Sequence, residues 1–327
     1  MGNIANCDAC VSNKEERFSE LQTSPNVIVK KDPEKIKMII HAKTVFNKKL
    51  EKMGKFMKNQ KMEQILDSVN PMVNRVILPP DIINTIKPNT YEQPLIRFHN
   101  GEMYKGYWNT NNQRDGFGIN INPDGEIYKG LWNNDQIGEY GAFFDNEGNY
   151  YKGQLVNGKG NGKGEIFIFG KMKYEGDFVD DIPNGKGVMI NLLDGSEYSG
   201  DIVDGKKDGR GILKFKDGTV YEGDFRDDNF NGNGILRYNN RRQYEGTFKD
   251  GKMDGNGKFT WEDGKMYIGT YVDDKKQGFG KLIWNDNKYY EGNWSNNKQH
   301  GEGMYYLNGK TLKGQFRFGK IITKTDD

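Results

Sequence analysis

Hydrophobic and polar residues alternate through short, regularly spaced segments from about residue 100 to the end of the chain. In the segment YEGDF, the period-2 alternation of a strand places Tyr221, Gly223 and Phe225 on one face and the two carboxylates on the other. A Gly-x-Gly element opens a second segment of this kind at residues 232–238, and the Asp and Asn residues in between tolerate turn geometry. The pattern therefore predicts a β-hairpin.

This hairpin pattern recurs at an almost constant interval of 22 to 24 residues. The signature Tyr-x-Gly-x followed by an aromatic or aliphatic residue begins nine times, at Tyr104, Tyr128, Tyr151, Tyr174, Tyr198, Tyr221, Tyr244, Tyr267 and Tyr290. A degenerate tenth copy begins at Leu312. Because a lone hairpin is marginally stable, neighbouring repeats must supply most of the stabilising contacts.

These residues resemble the MORN repeat (membrane occupation and recognition nexus), over about residues 100–317. The resemblance implies an elongated, grooved, single-layer sheet with roles in protein interaction, dimerisation and membrane-associated scaffolding. Phosphoinositide binding has also been proposed for the family. The predicted fold class is an all-β repeat solenoid, a twisted antiparallel sheet of stacked hairpins of about 23 residues, preceded by a short α-helical N-terminal segment.

Five segments follow from these patterns and from the composition. We predict a flexible, acylated tail at 1–30, a basic amphipathic helical segment at 31–70, a Pro-containing connector at 71–99, the repeat array at 100–320 and a short tail at 321–327. The helix begins at Asp32-Pro33, since Asp is a good N-cap and Pro suits the first helical position.

The predicted helix concentrates positive charge before the repeats. Residues 30–61 contain eleven Lys and three acidic residues, so this segment alone carries a charge of +8. Such a helix can lie on an anionic membrane, bind a regulatory partner such as calmodulin, or pack its apolar face against the first hairpin as a cap. The lysines of its polar face are Lys35, Lys37, Lys48, Lys49, Lys52, Lys55 and Lys58.

The extreme N-terminus carries a candidate lipidation signal. Gly2 follows Met1, and both cysteines of the chain, Cys7 and Cys10, lie within the first ten residues. Asn6 stands where the myristoylation pattern has Ser or Thr. One acyl chain binds a membrane weakly, whereas a second chain or a polybasic segment makes anchoring stable. Acylation of Gly2, Cys7 and Cys10 is the favoured interpretation, and incidental thiols or part of a zinc site are the alternatives.

Charge and motif content argue against several other functions. Residues 62–327 sum to a charge of −4 within a total of +2, so a nucleic-acid surface along the array is not expected. Residues 153–159 fit most of a P-loop, but Gly160 replaces its Ser or Thr, and Tyr238 replaces the calcium-binding Glu of an EF-hand-like segment. We expect no enzyme activity, no cofactor and no bound metal.

The expected function is that of a cytoplasmic scaffold on the inner face of the plasma membrane, the cortex, or a ciliary or organelle membrane. Its protein partner is expected to be an extended peptide or a helix in the repeat groove. A homodimer through the C-terminal repeats is also plausible. The alternatives are a soluble architectural subunit of a cytoskeletal or axonemal assembly, and a phosphoinositide-binding module. The candidate groove residues, at equivalent second-strand positions, are Phe215, Tyr238, Trp261, Trp284 and Leu307.

Overall fold

The computed structural model describes residues 76–325, without the side chain of Thr325, in two compact units at residues 76–206 and 207–325. The predicted acylated tail and basic helix lie outside these residues, as do the last two residues of the C-terminal tail. Every strand in the described part pairs antiparallel with its sequence neighbours within its unit, so the all-β, antiparallel hairpin architecture is confirmed.

The first unit contains one helical turn, α1 (Pro80–Ile83), and ten strands. The strands are β1 (Thr90–Arg97), β2 (Met103–Asn109), β3 (Arg114–Ile121), β4 (Ile127–Asn133), β5 (Gln136–Phe144), β6 (Tyr150–Val156), β7 (Lys159–Ile168), β8 (Met172–Val179), β9 (Ile182–Asn191) and β10 (Glu197–Val203).

The second unit contains eleven strands. They are β11 (Lys206–Lys214), β12 (Val220–Arg226), β13 (Asn229–Arg237), β14 (Gln243–Lys249), β15 (Lys252–Thr260), β16 (Met266–Val272), β17 (Lys275–Asn285), β18 (Lys288–Ser295), β19 (Lys298–Leu307), β20 (Lys310–Arg317) and β21 (Lys320–Thr325). Each signature tyrosine lies on the first strand of a hairpin, and the Gly-x-Gly element lies on the second.

The turn within each hairpin explains the Asp and Asn residues between the paired segments. Asp227 and Asp228 join β12 to β13 with φ values of 46° and 71°, the two left-handed positions that a two-residue type I′ turn requires. Asp and Asn tolerate this conformation better than other side-chain-bearing residues. The loops between hairpins are longer and place glycine at the left-handed position, as at Gly218 (φ 89°).

A column of paired glycines runs across the strands beneath the signature tyrosines. Gly223 of β12 pairs with Gly211 of β11 on one side and with Gly234 of β13 on the other. A Cβ atom added to Gly234 would lie 2.5 Å from the hydroxyl oxygen of Tyr221, whose ring covers both strands. Glycine is therefore required here by the close approach of an aromatic ring.

Signature tyrosines such as Tyr221 and Tyr244 also pack edge-on against two other rings. The Tyr221 ring centroid lies 5.1 Å from that of Phe225 in its own hairpin and 5.2 Å from that of Phe248 in the next. Tyr244 repeats the arrangement with Phe248 and Tyr271. All nine tyrosines donate a hydrogen bond of 2.7–3.2 Å to the carbonyl three residues later. These rings, with buried Leu155 and Ile202 at the equivalent positions of two repeats, form the hydrophobic core within each unit.

The type I′ turns dock onto the preceding hairpin. The backbone N–H of Asp274 donates to the carbonyl of Met253 at 2.9 Å, and the N–H of Met253 donates to Asp274 Oδ1 at 2.8 Å. This two-way link joins elements that are 21 residues apart. The same link joins Asp135 to Arg114, Asp181 to Gly160, Asp228 to Lys207 and Asn297 to Lys276.

The residues before the repeats pack onto the first unit. Val76 and Leu78 lie in a buried cluster with Met103, Ile121, Ile127, Ala142 and Phe144. Lys87 Nζ donates to Asp115 Oδ1 at 2.6 Å and to the Trp132 carbonyl at 3.1 Å. The segment assigned to a connector thus contains α1 and the strand β1, which pairs with β2. Within residues 76–325 no helix is long and apolar enough to cross a bilayer.

Candidate partner-binding surface

The five candidate groove residues all lie in the second unit, at the ends of second strands. Phe215, Tyr238 and Trp261 directly follow β11, β13 and β15, Trp284 lies next to the end of β17, and Leu307 ends β19. Each is half-buried. They therefore form one row along the edge where the inter-hairpin loops lie.

Neighbouring rings hold three of the four aromatic members of this row in place. The Trp261 ring centroid lies 4.6 Å from that of Phe259, and the Tyr238 centroid lies 6.2 Å from it. Trp284 stacks on Tyr305 at 5.9 Å with an interplanar angle of 21°. Because Phe259 is almost completely buried, the row is anchored to the hydrophobic core and exposes only part of each ring.

Basic side chains accompany the row at four of its five positions. The guanidinium of Arg242 lies 4.9 Å from the Tyr238 ring centroid, and the ammonium groups of Lys265 and Lys288 lie 4.7 Å and 4.9 Å from those of Trp261 and Trp284. Cations at such distances are attracted by the ring quadrupole. In the next hairpin Lys310 is paired with Leu307 across the strands. The aromatic–basic strip denotes these nine residues: Phe215, Tyr238, Trp261, Trp284, Leu307, Arg242, Lys265, Lys288 and Lys310.

The charges of the strip are available to a ligand. Across residues 76–325, none of its four basic side chains has a carboxylate at ion-pair distance. Burial raises the pKa of the Tyr238 hydroxyl to about 12, with Arg242 acting in the opposite direction. The hydroxyl is therefore protonated at neutral pH and acts as a hydrogen-bonding group, not as a charge.

The inter-hairpin loops of the two units differ in charge and in ring content. In the second unit, loops 215–219, 238–242, 261–265, 284–288 and 307–310 contain six basic and four acidic residues, with four aromatic residues. In the first unit, loops 98–102, 122–126, 145–149, 169–171 and 191–196 contain one basic and six acidic residues, with Phe98 and Phe169 as the aromatic residues. The strip is therefore a property of the second unit, and the shared repeat signature does not produce it.

A buried lysine lies beneath the strip. Lys276 is 7% exposed, and its ammonium group lies 4.9 Å from the Trp261 centroid, 5.3 Å from that of Tyr267 and 5.4 Å from that of Trp294. These three aromatic rings thus surround the ammonium group of Lys276.

Sequence reasoning identified the aromatic row but not its cations. Their signal is present in the sequence, because Arg242, Lys265 and Lys288 each lie two residues before a signature tyrosine and recur at intervals of 23. The lysines of the predicted basic segment at 31–70 were instead expected to supply the positive charge. Those lysines, Lys35, Lys37, Lys48, Lys49, Lys52, Lys55 and Lys58, and the candidate lipidation residues Gly2, Cys7 and Cys10 lie outside the described residues. Within the described range, no group of three or more His, Cys, Asp or Glu side chains is arranged to hold a metal.

Comparison with known proteins identifies the repeat. The MORN repeat model matches seven segments, at residues 151–166, 174–190, 198–220, 221–241, 244–266, 267–289 and 290–311. The chain therefore contains MORN repeats, a non-catalytic repeat module associated with protein interaction and with membranes. Hairpins with the same tyrosine hydrogen bond also occur at Tyr104 and Tyr128, before the first matched segment.

Curated protein sequences give no match to this chain. Among solved structures, the TCP10 domain of Danio rerio CPAP, in complex with a peptide of STIL, is 14% identical with a TM-score of 0.40, covering 65% of this chain and 96% of that chain. The TCP domain of Drosophila melanogaster SAS-4, in complex with a proline-rich motif of Ana2, is 13% identical with a TM-score of 0.32, covering 48% of this chain and 85% of that chain.

Proposed function

We propose that this protein is a non-enzymatic scaffold that binds a partner protein along the aromatic–basic strip while an acylated N-terminus holds it on the cytoplasmic face of a membrane. The observation that carries the proposal is the strip itself. Its half-buried rings and unpaired cations are regularly spaced and confined to one unit. Aromatic residues and Arg are enriched at the centres of protein–protein interfaces.

The rest of the array supports a structural role. The nine signature tyrosines are buried, and each donates its hydroxyl proton to a backbone carbonyl. Burial raises the pKa of eight of them, including Tyr221 and Tyr244, which disfavours the phenolate form that nucleophilic chemistry needs. The buried tyrosines therefore serve to keep the aromatic–basic strip in a fixed geometry.

The membrane part of the proposal rests on the sequence. Gly2, Cys7 and Cys10 would carry acyl chains, and the lysine-rich segment 30–61 would add attraction to anionic lipids of about 1 kcal/mol per Lys near the surface. Two such signals together make membrane attachment stable.

Fractionation tests the anchor. Wild type is compared with Gly2→Ala and with Cys7→Ser/Cys10→Ser in detergent-free membrane preparations, with mass spectrometry of the N-terminal peptide. We expect wild type on membranes with acyl mass, and both variants in the soluble fraction. An unmodified N-terminus on a soluble or cytoskeletal wild type contradicts the anchor and favours an architectural subunit.

Proximity labelling tests the scaffold. The full chain is compared with Trp261→Ala/Trp284→Ala, after circular dichroism has shown that the variant is folded. We expect a reproducible subset of neighbours to disappear from the variant while membrane association is kept. An unchanged set of neighbours would show that partners bind elsewhere on the array.

A further inference from the structure

The spacing of the strip restricts the conformation of its partner. Neighbouring strands lie about 4.8 Å apart, so one two-strand repeat advances by about 9.6 Å. Rings and cations of the strip recur once per repeat, at Tyr238 with Arg242 and at Trp261 with Lys265. A bound chain must therefore present the same kind of side chain every 9.6 Å or so, along one side.

Three regular backbone conformations meet this requirement differently. Polyproline II rises about 3.1 Å per residue with three residues per turn, so every third residue returns to the same side after about 9.3 Å. An extended strand also covers about 9.9 Å in three residues, but its side chains alternate, so every third residue changes sides. An α-helix needs between six and seven residues for this distance, which is not a whole number of turns.

The chemistry of the strip selects the side chains of the partner. Half-buried rings such as Trp261 and Trp284 offer the apolar surfaces on which Pro-rich segments dock. The four basic side chains of the strip have no carboxylate partner in the described part of the chain: Arg242, Lys265, Lys288 and Lys310. Carboxylates of the ligand can therefore form ion pairs with them.

We propose that the strip binds an acidic polyproline II peptide with one carboxylate at every third position and prolines between them. Four consecutive repeats carry the contact, from Tyr238 with Arg242 to Leu307 with Lys310. This inference rests on the proposed scaffold function and specifies the chemical class of its partner. It involves only the second unit and does not depend on membrane anchoring.

The test uses a fluorescent peptide of four Glu-Pro-Pro triplets, about 37 Å long in polyproline II, with the full-length protein. Fluorescence anisotropy should show saturable binding that weakens with added salt. A peptide with the same four Glu residues separated by three prolines each tests the spacing, and one of four Lys-Pro-Pro triplets tests the charge. We expect both to bind at least about tenfold more weakly.

A charge-reversal variant locates the site. Lys265→Glu/Lys288→Glu should weaken binding of the acidic peptide at least about tenfold, a change of about 1.4 kcal/mol. The matched control Lys298→Glu/Lys320→Glu makes the same charge change at two exposed lysines beside the type I′ turns and should bind like wild type. Both variants should give wild-type circular dichroism.

Three results would overturn the proposal. Equal binding of the two glutamate spacings would remove the polyproline II argument, and equal binding of the lysine peptide would remove the charge argument. Absence of binding to wild type would reject this ligand class. If proximity labelling still depends on Trp261 and Trp284 in that case, the scaffold function stands and its partner has a different chemistry.

Discussion

Tyrosine and glycine act as a pair in this protein, and neither residue alone explains the repeat. The Tyr221 ring lies over Gly223 and Gly234, and its hydroxyl donates to the Asp224 carbonyl at 2.8 Å. The glycines allow two strands to approach beneath the ring. The hydroxyl satisfies a carbonyl that would otherwise be covered by an aromatic ring.

Substitution of each partner should have a different cost. Tyr221→Phe removes one hydrogen bond and should lower the free energy of unfolding by about 0.5–1.5 kcal/mol. Gly234→Ala forces a methyl group into the ring and should cost more, about 1–3 kcal/mol, as overpacked cores do. Chemical denaturation of the full chain gives both values.

Gly264→Ala is the control for this comparison. Gly264 has a φ of 84° and nothing within 4 Å of an added Cβ, so alanine there reports backbone strain without a clash. Gly234 does not have a left-handed φ, so the stability lost in Gly234→Ala reports the clash of the added methyl group with the Tyr221 ring. If Gly234→Ala is as stable as wild type, the ring is not held against the glycine column.

At the scale of the element, the type I′ turn connects hairpins as well as closing them. Asp274 both accepts from and donates to Met253. Asn297 makes the same pair of bonds with Lys276 in the next hairpin. The side chain needed is therefore a short acceptor that tolerates a left-handed conformation, and its charge is secondary.

Two substitutions of Asp274 separate these requirements. Asp274→Asn should change the free energy of unfolding by less than about 0.5 kcal/mol, because Asn297 shows that an amide can replace the carboxylate. Asp274→Ala should cost about 1–3 kcal/mol, since the Met253 N–H loses its acceptor and alanine is strained at a φ of 63°. Hydrogen exchange at Met253 should rise in the alanine variant alone.

An equal loss of stability in both variants would show that the negative charge matters. In that case, the loss in Asp274→Asn should shrink with added salt, because screening weakens exposed electrostatic interactions.

At the scale of the whole molecule, stability is a sum of repeats and nearest-neighbour contacts. Leu78 is fully buried in the cluster at the start of the first unit. Leu78→Ala should lower the free energy of unfolding of the first unit by about 2–5 kcal/mol. Hydrogen exchange should increase in β1 to β5 and remain at the wild-type level in β18 to β21. A uniform increase would indicate two-state unfolding of the entire chain.

The buried tyrosines make alkaline pH a second global test. Burial raises the pKa of Tyr174 and Tyr238 to about 12, and that of Tyr221 and Tyr244 higher still. The folded state therefore holds these protons more tightly than the unfolded chain, whose tyrosines ionise near pH 10. Stability is fully present below about pH 10 and is lost as the pH rises toward the folded values.

Denaturation midpoints measured with tyrosinate absorbance across this range check the prediction. We expect the midpoint to fall steadily above about pH 10 while tyrosinate appears only on unfolding. If tyrosinate forms at the pH typical of free tyrosine while the chain remains folded, the buried tyrosines are accessible to water and the prediction is wrong.

The sequence by itself determined the local structure, because the same pattern of strand and turn residues recurs in successive repeats. A Tyr-x-Gly strand, a Gly-x-Gly strand and Asp or Asn turns recur with a period near 23, and these short-range preferences suffice to define each hairpin and its register. The aromatic row was readable for the same reason, since Phe215, Tyr238 and Trp261 recur at that period.

Only the tertiary structure decided which side chains meet between hairpins. The link from Asp274 to Met253, the three rings around Lys276 and the cations beside Tyr238 and Trp261 depend on the offset of neighbouring strands and on the faces of rings. A periodic sequence limits which residues can meet between adjacent hairpins, but it does not specify the contacts, because the same side chains can pack in several relative orientations. Packing of the rings on the glycine column selects one orientation of each hairpin, and the inter-hairpin loops of the second unit add the rings and cations of the aromatic–basic strip.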